Sequence, residues 1–170
     1  MQAQILTKGG ARAVRDFDLF QKHNFIFGST ILFKDDQFRK KWEPHAAPIE
    51  VRFDVVREAR RMGIRTWISL EPVINAPEAL KVIEELHDCV DFWKIGKINH
   101  LPAVEKLTNW RVFYSEVTEL LYSLGAQYYI KKDLLKYFPL EGPSRPPSRA
   151  FKEAFKIFCP DLCTSANSSK

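Results

Sequence analysis

Apolar residues in this chain fall into short, near-continuous runs that alternate with stretches of helical period. The run from Arg65 to Ile74 is the anchor: its centre reads as a buried strand, and its end carries Glu71 followed at once by Pro72. Such a strand delivers its last polar side chain to the rim of a sheet, and proline, with no N–H to donate, is expected to end the ladder. Gln2 to Lys8 and Phe92 to Asn99 have the same shape, the first ending on Lys8 and the second on Lys97 and Asn99. Phe25 to Phe33 sets Ser29 and Thr30 inside an apolar run, and Gln127 to Ile130 supplies a fifth strand.

Between these runs the period changes to that of helices. Ala11 to His23 places Val14, Phe17 and Phe20 on one side, with Asn24 to end it. Pro48 to Met62 carries a stripe of Ile49, Phe53, Val56 and Ala59 or Met62, closed by Gly63. Asn75 is placed to cap a helix running to His87, with Pro77 in its first turn and Ala79, Leu80, Val82, Ile83 and Leu86 as its buried side. A short segment from Pro102 to Leu107 precedes the most regular helix, after Trp110, with Phe113, Val117, Leu120, Leu121 and Leu124 before Gly125. Lys34 to Ala47 is polar, contains Pro44, and reads as a shaped loop on the side of the strand ends.

Strand and helix alternate, which predicts an α/β fold: a parallel sheet with right-handed crossover helices. Periodicity alone leaves an open sheet and a partial barrel equally available. Parallel strands would bring Lys8, Ser29, Glu71 and Lys97 to one mouth. The α/β pattern covers residues 1–138; residues 139–148 read as a proline-rich linker, and 149–170 as a short helix and frayed tail.

Composition narrows the class. Of the 170 residues 45% are hydrophobic and 28% charged, which suits a globular domain with a core. The longest apolar run spans nine residues, too few to cross a bilayer, and no secretory leader is legible. Three cysteines without framework spacing suit a reducing cytoplasm. The net charge of +5 is compatible with a polyanionic partner such as DNA, but the bases are scattered, and the charge alone reads better as a solvated basic surface.

Several short pieces stand in a telling order and spacing: Ile5-Leu6-Thr7-Lys8 with Arg15-Asp16, Gly28-Ser29-Thr30, Glu43-Pro44-His45-Ala46-Ala47-Pro48, Met62-Gly63-Ile64 and Glu71-Pro72-Val73-Ile74-Asn75. Together they resemble the later part of a radical S-adenosylmethionine enzyme, closest to the group that includes spore photoproduct lyase. The resemblance covers about residues 2 to 100, and more loosely extends to Leu134. It implies a partial (β/α) barrel holding S-adenosylmethionine and a four-iron–four-sulfur cluster at its C-terminal mouth. Three cysteines spaced C-x3-C-x2-C bind that cluster in the family, and the chain has no such motif; Cys159 and Cys163 share one interval without the third thiol. The chain is therefore expected to begin near the third barrel strand, to lack the first βα units and the cluster, and to perform no reductive cleavage alone.

The resemblance assigns Lys8 and Ser29 to the methionine and ribose portions of the cofactor. The alternative is a solvated strand end and a hydroxyl spent on neighbouring backbone. Glu71 suits either a ribose hydroxyl or an ion pair with Lys8 or Lys97. Lys97 and Asn99 either face substrate or form a satisfied rim. Trp67 and Trp93 read as core, Cys89 as a small buried hydrophobe, and the histidines show no metal-ligand spacing. A rival expectation is a non-catalytic half-barrel that docks a separate N-terminal half along its exposed sheet edge or binds a small anion.

Overall fold

In the computed structural model residues 3–138 are described; the proline-rich stretch, the short helix expected after it, Cys159 and Cys163 lie outside the described residues. Five strands pair in sequence order, every pair parallel: β1 (Gln4–Thr7), β2 (Ile26–Thr30), β3 (Thr66–Val73), β4 (Phe92–Lys97) and β5 (Tyr128–Ile130). Helices return the chain between them: α1 (Phe17–His23), α2 (Asp36–Trp42), α3 (Ile49–Arg61), α4 (Ala76–Leu86), α5 (Pro102–Glu105), α6 (Trp110–Ser123), with α7 (Lys132–Leu135) after β5. This is the parallel sheet with crossover helices that the alternation predicts, in the form of a partial (β/α) barrel.

The helices start and stop where their sequences direct. Asn75 caps α4 by accepting from Glu78 N at 3.1 Å, and Asn109 caps α6 by accepting from Val112 N at 3.2 Å. Asn24 ends α1 at φ 52°, in the left-handed region that asparagine tolerates.

Three expectations change. The Ala11–His23 helix opens as a 3-10 helix, Gly10–Asp16, whose tighter winding alters the phase; Phe17 and Phe20 are buried while Val14 is exposed. The polar stretch after β2 contains α2, capped by Asp35, which accepts from Gln37 N at 2.8 Å. Pro72 does not end β3: the ladder to β4 slips between Leu70 and Val73 and resumes with Val73 opposite Lys97.

Register sorts the sheet into two faces, because paired residues share a side and side chains alternate along each strand. Phe27, Ile68, Leu70, Trp93, Ile95 and Ile130 lie on the helix-covered face and join Phe53, Val56, Val82 and Val117 in one core. The other face is the inner wall of the partial barrel. Ile26, Trp67 and Phe92 line its lower part, buried yet separate from that core. Above them, toward the C-terminal ends, the wall turns polar: Thr30 pairs in register with Ser69, and Ser69 with Lys94.

Candidate functional site at the C-terminal mouth

The residues singled out by sequence all stand near the C-terminal strand ends, but on different sides of the sheet. Lys8 follows β1 at the rim with its side chain 44% exposed. Ser29 lies on the helix-covered face, 2% exposed, and its hydroxyl donates to the Thr7 carbonyl at 3.3 Å. Glu71 is on the inner wall. Lys97 turns to the helix side, where it meets Glu105, donates to the Ile98 carbonyl at 3.1 Å and lies 5.4 Å from the Trp110 ring centre. Burial pushes its ammonium below the usual lysine range. Asn99 is exposed and donates to Asp133 at 3.0 Å.

Two charged centres result, each a carboxylate between two cations. The first joins Lys8, Glu43 and Arg52. Arg52, on α3, is fully buried; it donates to the Thr30 carbonyl at 2.7 Å and to Glu43 Oε2 at 3.0 Å, leaving its Nε without a partner among the described residues. Glu43 Oε1 sits 2.7 Å from Lys8 Nζ, at ion-pair distance but off the hydrogen-bonding direction. The end of β1, the end of β2 and the start of α3 are thereby tied through one carboxylate.

The chain reaches Glu43 through α2, which is pinned to α3 by Asp36. That carboxylate takes Arg39 bidentately, at 2.6 and 2.9 Å, and accepts from Ile49 N at 3.1 Å. Arg39 above all holds the Asp36 carboxyl down at about 2. Since its folded value lies below that of an unfolded aspartate, about 3.9, the folded state binds the proton more weakly. Its contribution is complete above that unfolded value and is lost as pH falls through about 2. Acid unfolding followed by circular dichroism should therefore show Asp36→Asn less stable than the native chain at neutral pH, the difference shrinking between pH 4 and 2. A difference constant across that window would refute the assignment.

The second centre lies on the inner wall. Glu71 contacts Lys131 directly and lies 3.7 Å from Lys94. It does not pair with Lys8 or Lys97, whose partners are Glu43 and Glu105. Gly96 makes the arrangement possible: a Cβ there would stand 2.9 Å from Lys131 Cδ and 3.1 Å from Glu71 Cγ. Lys94, Lys131, Glu43 and Arg52 were not among the sequence candidates. The signal for Lys94 was the alternation Trp93-Lys94-Ile95-Gly96, which puts a charge on one face of an otherwise apolar strand.

A four-iron–four-sulfur cluster does not fit the described residues. Cys89 is 6% exposed, and burial pushes its thiol up to about 12, the opposite of what thiolate ligation needs. Among the described residues no group of three His, Cys, Asp or Glu could hold a metal. Nor is any helix among them long and apolar enough to cross a membrane.

No family model and no curated protein sequence matches the chain. Among solved structures it is similar to SuiB of Streptococcus suis bound to S-adenosylmethionine, with a TM-score of 0.63 and 10% identity over 85% of this chain and 36% of SuiB. A second SuiB structure gives a TM-score of 0.65 at 10% identity over 91% of this chain and 39% of SuiB. The WlbA (WbpB) dehydrogenase of Thermus thermophilus, in complex with NAD and alpha-ketoglutarate, aligns over 93% of this chain and 55% of its own at 14% identity, with a TM-score of only 0.39. The chain thus has the partial-barrel fold found in SuiB, and it spans little more than a third of SuiB's length.

Proposed function

We propose that this chain is part of a radical S-adenosylmethionine enzyme and that its C-terminal mouth receives the cofactor. The observation that carries the reading is the polar upper wall of a half-barrel whose fold is shared with SuiB bound to S-adenosylmethionine. Lys8 offers the methionine carboxylate a partly exposed ammonium already oriented by Glu43, and Glu71 offers the ribose hydroxyls an acceptor. Ser29 acts from beneath, holding the last carbonyl of β1 in place under Lys8. When bound, the cofactor supplies radical chemistry together with its cluster; any cluster thiolates come from outside residues 3–138. The order of the short motifs is what supports the finer reading, a member of the spore photoproduct lyase-like group.

Calorimetric titration with S-adenosylmethionine tests the reading. The native chain should bind, and Lys8→Ala should bind about tenfold more weakly, the loss of one charge-assisted contact. Absence of binding at millimolar cofactor, or equal affinity in the variant, would overturn it.

A specific observation also favours a partner for the edge of the sheet. β1 pairs only with β2 among the described residues, and Ile5 and Leu6 on it are 44% and 45% exposed. Val14 and Leu19, on the segment that follows, are exposed as well. A preceding half-barrel would cover this flank and pair the edge strand.

A further inference from the structure

We infer that Lys94 and Lys131 form a binding site for an anionic group, a phosphate or a carboxylate, carried by the substrate of the proposed enzyme. The inference deepens the reading above by naming a substrate class, but its geometry is separate from Lys8. β3, β4 and β5 deliver Glu71, Lys94 and Lys131 to one inner-wall patch, and two ammonium groups there share one carboxylate. These side chains are only 26%, 28% and 39% exposed, so the unbalanced cation is partly removed from water. Partly desolvating a charge without a full partner is costly, and the same wall lower down uses Trp67 and Phe92 instead. One lysine balances Glu71, so the pair carries one further positive charge that a ligand's anion can meet.

The surroundings are rich in donors. Thr30 and Ser69 present hydroxyls on the same wall, at 6% and 4% exposure. Trp67, on the same face of β3, has a buried indole N–H without a partner among the described residues. Each two-residue step along a strand is about 7 Å, so Ser69 stands one step below Glu71, and Trp67 two steps below it at the apolar foot of the wall. Ammonium groups with hydroxyls lower on the same wall match a ligand rich in acceptors. Gly96 lets Lys131 and Glu71 lie close against β4, because any Cβ there would crowd them.

In this arrangement Glu71 holds the two lysines until the ligand's anion joins or displaces it. That gives the inference a sign which a structural salt bridge does not share. Inorganic phosphate and, in a separate arm, succinate are titrated into the full chain in low salt without S-adenosylmethionine, by calorimetry and thermal shift. The expected result is binding by the native chain and about tenfold weaker binding by Lys94→Gln/Lys131→Gln. Glu71→Gln, which keeps the shape and removes the competing charge, should bind about tenfold more tightly. The stronger of the two arms identifies the group. No binding in either arm, or affinity unchanged in the lysine variant and unimproved in Glu71→Gln, would overturn the inference. Should the lysine variant fail to fold, the Glu71→Gln arm decides alone. Since no cofactor is present, this outcome is read separately from the Lys8 titration.

Discussion

Replacing Arg52 with methionine is expected to destabilise the chain by about 3–5 kcal/mol, the cost of removing one partner from a buried ion pair. Arg52 is fully buried and, at 3.0 Å, is the better-oriented partner of Glu43, whose side chain is 4% exposed. Without it Glu43 keeps only Lys8, which is half in water and off the hydrogen-bonding direction, and the Thr30 carbonyl loses its donor. Neutralising both members, Arg52→Met with Glu43→Gln, should recover a large part of the loss, because the buried unpaired charge is gone. Urea unfolding of the native, single and double variants measures this directly. A single-variant loss below about 1 kcal/mol would mean that Lys8 alone satisfies Glu43. The double variant also separates stability from function: it should fold, yet bind S-adenosylmethionine weakly, because nothing then orients Lys8.

The elements were legible because each carries a strong local signal. The stripe along α3, the asparagine caps of α4 and α6, and the apolar runs of β2 to β4 are enough to order the fold. The site was legible only in part, for a reason visible in β3. Read as a buried strand, it offers only its terminal Glu71; read as an alternation, Ile68 and Leu70 face the helices while Trp67, Ser69 and Glu71 face the barrel. The same alternation assigns Ser29 and Lys97 to the helix side and Lys94 to the inner wall. Arg52 carried no such signal. In sequence it is an arginine inside an amphipathic helix, and only the loop that returns Glu43 over β2 makes it a buried partner. Which lysine meets Glu71 was likewise beyond reach, since Lys131 lies 60 positions away and arrives through β5.

Gly28→Ala should cost about 1–3 kcal/mol and also disturb the inner wall. Its Cβ would stand 2.3 Å from Trp67 Nε1, 2.4 Å from Trp67 Cε2 and 2.9 Å from the Ile5 carbonyl. The indole is rigid and buried, and the carbonyl belongs to the paired strand, so neither yields as the end of a flexible side chain would. Here the glycine supplies close approach, not an unusual backbone angle. Gly63 is the contrasting case: nothing lies within 4 Å of its added Cβ, but its φ is +73°. Gly63→Ala should therefore cost about 1–2 kcal/mol from the left-handed backbone alone, with the mouth unaffected. A double-mutant cycle separates the two mechanisms. Trp67→Ala by itself should cost about 3–5 kcal/mol for the cavity it leaves. In that background Gly28→Ala should become less costly by about 1 kcal/mol or more, because the ring it strikes is gone, whereas Gly63→Ala should cost the same in both backgrounds. If Gly28→Ala is equally costly with and without the indole, the contact that shapes the inner wall is with the β1 backbone, and Trp67 does not set the depth of the site.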